Sequence, residues 1–171
     1  MTYNYGENEK WLQLAVEEAR SAATVGEVPV GAVIVHEGVV IGRGQNHVER
    51  LHDPTAHAEI LAIREATAAL GYERLNSAVL YVTLEPCAMC AGAIVLARLR
   101  SLVYGAIDPK AGACGSLLDI VRDTRLNHQL EVTEGILSDT CSELLRDFFR
   151  TKRGKGDRSS EQILAERCES G

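Results

Sequence analysis

The period of the apolar positions changes several times along the chain, and each change marks an element. In "EKWLQLAVEEARSAATVG" (9–26), Trp11, Leu12, Ala15, Val16 and Ala19 recur at helical spacing, predicting an amphipathic helix closed at Gly26. "EVPVGAVIV" (27–35) and "GVVIGRGQN" (38–46) are valine-rich and predict two strands, joined as a hairpin through His36, Glu37 and Gly38. "AHAEILAIREATAALG" (56–71) predicts a second helix, stopped by Gly71. "SAVLYVTL" (77–84) is apolar on both faces, as a buried strand requires. "CAMCAGAIVLARL" (87–99) predicts a third helix and "SLVYGA" (101–106) a fourth strand.

The stretch 107–129 is rich in turn residues, with a short helix expected near 116–121. "LEVTEGI" (130–136) gives a fifth strand, and "SDTCSELLRDFFRTKR" (138–153) a last helix with Ser138 as its cap. From Gly154 the chain is polar and broken by glycine, which predicts a flexible tail over 154–171. Strands alternating with helices imply a sheet covered on both faces. The opening hairpin makes the sheet mixed, and the roughly 24 residues before the last strand exceed the dozen that a parallel crossover needs. The expectation is an α/β fold: one domain over 1–153, three-layer α/β/α, with a five-stranded mixed sheet.

Composition narrows the setting. Apolar residues make up 46% of the 171, so a packed core is expected. No apolar run approaches a membrane span, and "MTYNYGENEKW" carries no hydrophobic leader, so a cytoplasmic location is expected. Five cysteines, an odd number, do not form the framework of a secreted disulfide scaffold. The net charge of −6 argues against a general polyanion binder. Within it, however, residues 146–158 hold six basic and two acidic side chains, a local +4 against −10 for the remainder.

Two short stretches carry the chemistry. In "LEPCAMC" (84–90), Cys87 and Cys90 share one face at a helix entrance, where the helix dipole favours thiolates. Alone, that spacing fits a redox pair, a metal grip or ordinary packing. "DPTAHAEI" (53–60) supplies His57, with Glu59 two residues later, at another helix entrance that also follows an apolar strand. Residues two apart on a helix point about 200° apart. His57 and Glu59 can therefore face one ion only if the second helix begins within about one residue of Ala56. His57, Cys87 and Cys90 make three ligands, the number that leaves a catalytic zinc open to water. Cys114, in "AGACG", is the residue that would close such a site and make it structural, leaving Glu59 without a role.

The non-ligating glutamate beside a His/Cys/Cys set resembles the cytidine-deaminase superfamily. The longer strings "VPVGAVIV", "DPTAHAEI", "TLEPCAMCAGAI" and "YGAIDPKAGACGS" resemble the bacterial tRNA adenosine deaminases, over about residues 8–152. That resemblance implies a cytidine-deaminase-like fold and one zinc ion per chain, held by His57, Cys87 and Cys90. It implies that Glu59 shuttles protons while water replaces the 6-amino group of the wobble adenosine in a tRNA anticodon stem-loop, giving inosine. It further implies that Asn46 holds the target nucleotide, that Asp108, Lys110, Asn127, His128, Phe149 and Arg153 contact RNA, and that the enzyme is a homodimer with the third helix near the interface. The alternatives are a zinc deaminase of a free base or small nucleotide, a non-catalytic zinc-stabilised RNA-binding module, and a redox protein.

Overall fold

The computed structural model describes residues 5–71 and 74–168, with side chains described over 6–71 and 74–154. Its elements run α1 (Tyr5–Thr24), β1 (Gly31–His36), β2 (Val39–Gln45), α2 (Val48–Leu51), α3 (Ala58–Leu70), β3 (Val79–Leu84), α4 (Ala88–Leu96), β4 (Ser101–Ala106), β5 (Glu131–Glu134) and α5 (Ser138–Cys168). The strands form one mixed sheet in the order β2-β1-β3-β4-β5. β1 runs antiparallel to both β2 and β3, and β3, β4 and β5 run parallel. The β1–β2 hairpin turns on Glu37 and Gly38, with φ of 50° and 76°, the left-handed pair that a tight hairpin turn demands.

Alternation along each strand divides the core into two layers. Ala32, Ile34, Leu80, Val82, Leu102 and Tyr104 face the α3–α4 side, where Ala58, Ala62, Ala91 and Ile94 meet them. Val33, Val35, Tyr81 and Val103 face the other side, covered by Trp11, Leu12, Ala15 and Val16 of α1 and by Cys141 of α5. This is the predicted three-layer α/β/α arrangement.

One packing feature positions the site. Ala58, Ala62 and Ala66 lie along one face of α3, directly over Gly42 and Gly44 of β2. A Cβ on Gly44 would sit 2.0 Å from the Ala58 carbonyl oxygen, and one on Gly42 would sit 2.3 Å from that of Ala62. Small residues on both surfaces let the helix backbone approach the strand closely, which places the start of α3 beside the end of β2.

Three features depart from expectation. The four-residue α2 is too short to leave a periodic signal. No helix forms at 116–121: that stretch turns back on itself through a bridge between Cys114 and Asp119, for reasons found in the site below. Finally, α5 does not stop near Arg153 but continues to Cys168, through the segment expected to be a flexible tail. Gly154 and Gly156 each cost a helix about 1 kcal/mol, but the segment has no proline and is rich in Arg, Lys, Glu, Gln, Leu and Ala, all good helix formers.

Candidate metal centre and substrate cleft

Strand polarity brings the candidate residues together. The carboxyl ends of β3 and β4, the amino end of β1 and the carboxyl end of β2 all fall on one edge of the sheet. Residues Glu27 to Val30, Asn46, Leu84 to Cys87 and Asp108 to Ala111 therefore converge, and α3 and α4 both start there. The result is a cleft of about 290 Å³ whose wall includes Glu27, Asn46, His57, Glu59, Glu85, Cys87, Asp108 and Lys152.

His57 is the N-cap of α3, in extended conformation (φ −76°, ψ 153°), and Ala58 is the first helical residue. Cys87 is likewise the extended N-cap of α4, with Cys90 in its first turn. The expected helix start, within about one residue of Ala56, is overshot by one residue, since α3 begins at Ala58, but its geometric purpose is served with His57 as the N-cap. Because His57 stands just outside the helix, its ring can lean across the helix end toward the sulfur atoms while Glu59 occupies the first turn.

The Nδ1 atom of His57 lies 3.7 Å from Cys87 Sγ and 3.5 Å from Cys90 Sγ. All three ligand atoms lie within 4.8 Å of one another, and among the described residues this is the one such group. With zinc–sulfur and zinc–nitrogen bonds of about 2.3 and 2.0–2.1 Å, the N···S edge of a tetrahedron is about 3.6 Å, so the donor set fits that ion. Cys114 does not join it: its buried thiol points at the Pro86 carbonyl oxygen, 3.9 Å away.

Electrostatics agree with a metal-ready site. A hydrogen bond from Cys90, reinforced by one from His57, pulls Cys87 far below the ordinary thiol range. The same bond, together with burial, pushes Cys90 up. His57 is raised by its hydrogen bond to Cys87, an effect larger than the opposing cost of burial. Glu59 is only 4% exposed, and desolvation raises its carboxyl above the ordinary glutamate range. A carboxyl poised to take and return a proton requires such an environment.

Glu85, which the sequence reading passed over, explains the shape of the loop after β4. It is 2% exposed and accepts backbone N–H groups from Asp108 (2.9 Å), Cys114 (3.1 Å) and Ser116 (3.0 Å), plus the Ser116 hydroxyl. Burial pushes this carboxyl up, but the bonds from Ser116, Asp108 and Cys114 together outweigh it and hold it below the ordinary range. A carboxylate drawing in three backbone N–H groups over nine residues imposes a compact loop where a helix was expected. An acid between an apolar strand and a proline was the available signal.

Of the other expected contacts, Asn46 and Asp108 line the cleft. Asp108 also closes the loop by accepting the backbone N–H groups of Lys110 (2.9 Å) and Ala111 (3.2 Å), while the Lys110 side chain is exposed. Phe149 is 45% exposed and stacks edge-on against Phe148 with ring centroids 5.5 Å apart. Arg153 is exposed beside it on α5. It is Lys152, not named from sequence, that reaches the cleft wall, its Nζ 5.0 Å from the Phe148 ring centroid. Asn127 and His128 are not brought to this cleft. They line a separate hollow with Leu96 and Arg98, at the opposite end of α4 from Cys87, where His128 Nε2 bonds the Leu99 carbonyl oxygen at 2.6 Å.

Comparison with known proteins gives a consistent picture. A family model described as MafB19-like deaminase matches residues 6–153. A tRNA-specific adenosine deaminase of Agrobacterium fabrum is 51% identical over 147 residues, which are 86% of this chain and 97% of the relative. One of Bacillus subtilis is 48% identical over 149 residues, 87% of this chain and 92% of the relative. Among solved structures, one from work on A-to-I editing by tRNA:A34 deaminases is 50% identical and covers 80% of this chain and 99% of its own, with a TM-score of 0.77. A guanine deaminase from Nitrosomonas europaea is 27% identical, with a TM-score of 0.72 over 82% of this chain and 83% of its own.

Proposed function

The chain belongs to the tRNA-specific adenosine deaminase family, within the MafB19-like deaminases, and from that premise we propose that it converts the wobble adenosine of a tRNA anticodon stem-loop to inosine. The observation that carries this reading is a three-donor metal group with Glu59 buried beside it in one cleft.

His57, Cys87 and Cys90 would hold one zinc ion per chain. When bound, zinc supplies the Lewis acidity that makes water a nucleophile near neutral pH. The remaining work falls to the chain itself. Glu59 takes a proton from the attacking water and delivers protons to adenine N1 and then to the departing 6-amino nitrogen. Water's oxygen is left on C6, and ammonia leaves. The elevated carboxyl of Glu59 suits it to both halves of that exchange. Asn46 and Asp108 border the space that a flipped nucleotide would fill, and Lys152 meets the backbone at the mouth.

The same reading makes the chain a cytoplasmic homodimer. Among the described residues no helix is long and apolar enough to cross a membrane. Leu96, 81% exposed at the end of α4, and Leu126, 38% exposed beside the same hollow, are apolar surface of the kind a second copy would cover. Asn127 and His128 would then contact RNA only from that face. We place the deaminase domain at 1–153 and treat 154–171 as an appendage to it.

The test is incubation of the zinc-loaded protein with a set of anticodon stem-loops, sequenced for adenosine-to-guanosine changes, alongside ammonia release from free guanine and cytidine. Wobble-specific changes with no release from the free compounds support the reading; the reverse pattern overturns it in favour of a small-molecule deaminase. Glu59→Gln should keep its zinc and lose turnover.

A further inference from the structure

Glu27 stands in the cleft wall, and proton transfer gives it nothing to do. It is completely buried, a placement that a carboxylate tolerates only when well bonded. Its Oε1 accepts the backbone N–H of Arg50 at 2.8 Å, and its Oε2 accepts that of Glu49 at 3.3 Å. Both N–H groups belong to α2, whose own N-cap residue, His47, makes no side-chain capping bond. So far this is a helix cap supplied from a distant part of the chain.

The third bond is of another kind. Glu27 Oε2 also accepts from Nδ2 of Asn46, at 3.3 Å, and Asn46 is an 8% exposed residue of the cleft wall. An asparagine amide has one donating and one accepting side. A carboxylate already receiving N–H groups on both oxygens presents only acceptors, so Asn46 must turn its nitrogen to Glu27. Oδ1 is then the atom left for the cleft that Asn46 lines, and no hydrogen bond from a described residue reaches it.

An acceptor fixed at that point selects a donor on the substrate. The ring nitrogens of adenine accept, and its one donating group is the 6-amino group, which the reaction removes at Glu59. On a nucleotide within a chain the 3′ oxygen is esterified. The donor that remains is the ribose 2′-hydroxyl. Resting on the adenosine deaminase reading above, we infer that Glu27 is a positioning residue: it locks the Asn46 amide with its carbonyl toward the cleft, where it accepts the 2′-hydroxyl of the target nucleotide and favours ribose over deoxyribose.

The experiment compares kcat/KM of the zinc-loaded protein on two anticodon stem-loops that differ only in a 2′-hydroxyl or 2′-deoxy wobble adenosine. Wild type should prefer the ribose form by roughly tenfold, the worth of one good hydrogen bond. Glu27→Gln can keep its oxygen on the Arg50 N–H, which turns its amide nitrogen toward Asn46 and inverts that amide; the 2′-hydroxyl must then turn to accept a bond that no longer has the carboxylate behind it, so the preference should fall without reaching one. Asn46→Ala should bring it towards one, and the double variant should fall no further than Asn46→Ala alone. Asn46→Ala removes no capping bond, so it keeps the test open if Glu27→Gln unfolds. An unchanged preference in either single variant overturns the inference, as does a further fall in the double variant. A lowered unfolding midpoint of Glu27→Gln at unchanged preference would reduce Glu27 to a helix cap. Absence of inosine from the all-ribose stem-loop overturns the deaminase reading itself, and the inference with it.

Discussion

Replacing Glu85 by glutamine tests whether one buried carboxylate shapes the loop that borders the cleft. The best arrangement of the new side chain keeps its oxygen on the Cys114 and Ser116 N–H groups, at 3.1 and 3.0 Å in the wild type. Its amide nitrogen then faces the Ser116 hydroxyl, which can rotate to accept, and the Asp108 N–H, which cannot. One buried donor is orphaned at a cost of about 1–3 kcal/mol, and the two retained bonds lose their charge assistance, about 1 kcal/mol each, while relief from burying a charge returns part of that. The net expectation is a loss of about 2–3 kcal/mol at neutral pH. Because the native carboxyl is held below its ordinary value of 4.5, its contribution is present above that pH and fades as pH falls through it. The gap between wild type and variant should therefore be full at pH 7 and shrink towards pH 4. Denaturant unfolding of both proteins, metal-depleted so that proton competition at His57 and the cysteines cancels, measures it. A gap under about 0.5 kcal/mol at pH 7, or one equal at pH 7 and pH 4, would refute the argument.

Other expectations are more direct. Gly44→Ala puts a methyl group 2.0 Å from the Ala58 carbonyl oxygen, a backbone atom that cannot swing aside; thermal unfolding should show a loss of about 3 kcal/mol, with turnover falling because Ala58 adjoins His57. Cys114→Ser should retain one zinc per chain by elemental analysis, whereas Cys90→Ser or His57→Ala should bind it at least tenfold more weakly; loss of zinc from Cys114→Ser would mean a closed structural site. Lys152→Ala should raise KM for the stem-loop several-fold at nearly constant kcat and lower the log–log salt slope by about 0.7, the share of one phosphate contact. A slope equal to wild type would remove Lys152 from the RNA path.

The parts of this protein legible in its sequence are those with a repeating signal or a fixed spacing. Five strands and four long helices follow from apolar periodicity, and a shared ion for His57 and Glu59 placed the start of α3 to within two residues of where it lies, since a helix beginning one turn earlier would have sent the two side chains to opposite faces. What sequence did not reveal depends on contacts between distant segments. Glu27 and Glu85 look like loop acids until the sheet edge assembles around them, 22 and 29 positions from some of their partners. Lys152 and Arg153 are equivalent in composition, and only the rotation of α5 decides that Lys152 faces the cleft. The same contacts overturned the helix expected at 116–121: its apolar pair, Leu117 and Leu118, suits a helix locally, but Glu85 takes the Ser116 N–H, and the N–H groups of Leu117, Leu118 and Ile120 turn back to the Gly112 and Ala113 carbonyl oxygens.

The acidity of the cleft poses a last question, since Glu27, Glu49, Glu59, Glu85 and Asp108 line a pocket meant for a polyanion. Their bonding resolves it. Glu27, Glu85 and Asp108 each accept two or more backbone N–H groups, and these dipoles offset much of their field in the cleft. Glu59 is lifted by burial towards its neutral form. Three of the five are therefore struts that fix the backbone and, through Asn46, one amide, while attraction for phosphate is left to the basic turns of α5 at the mouth. That division suits a substrate whose target base enters a pocket while its phosphates stay outside: a positive pocket would hold phosphate in the place the base must take, and a pocket braced by carboxylates bonded to backbone N–H groups does not.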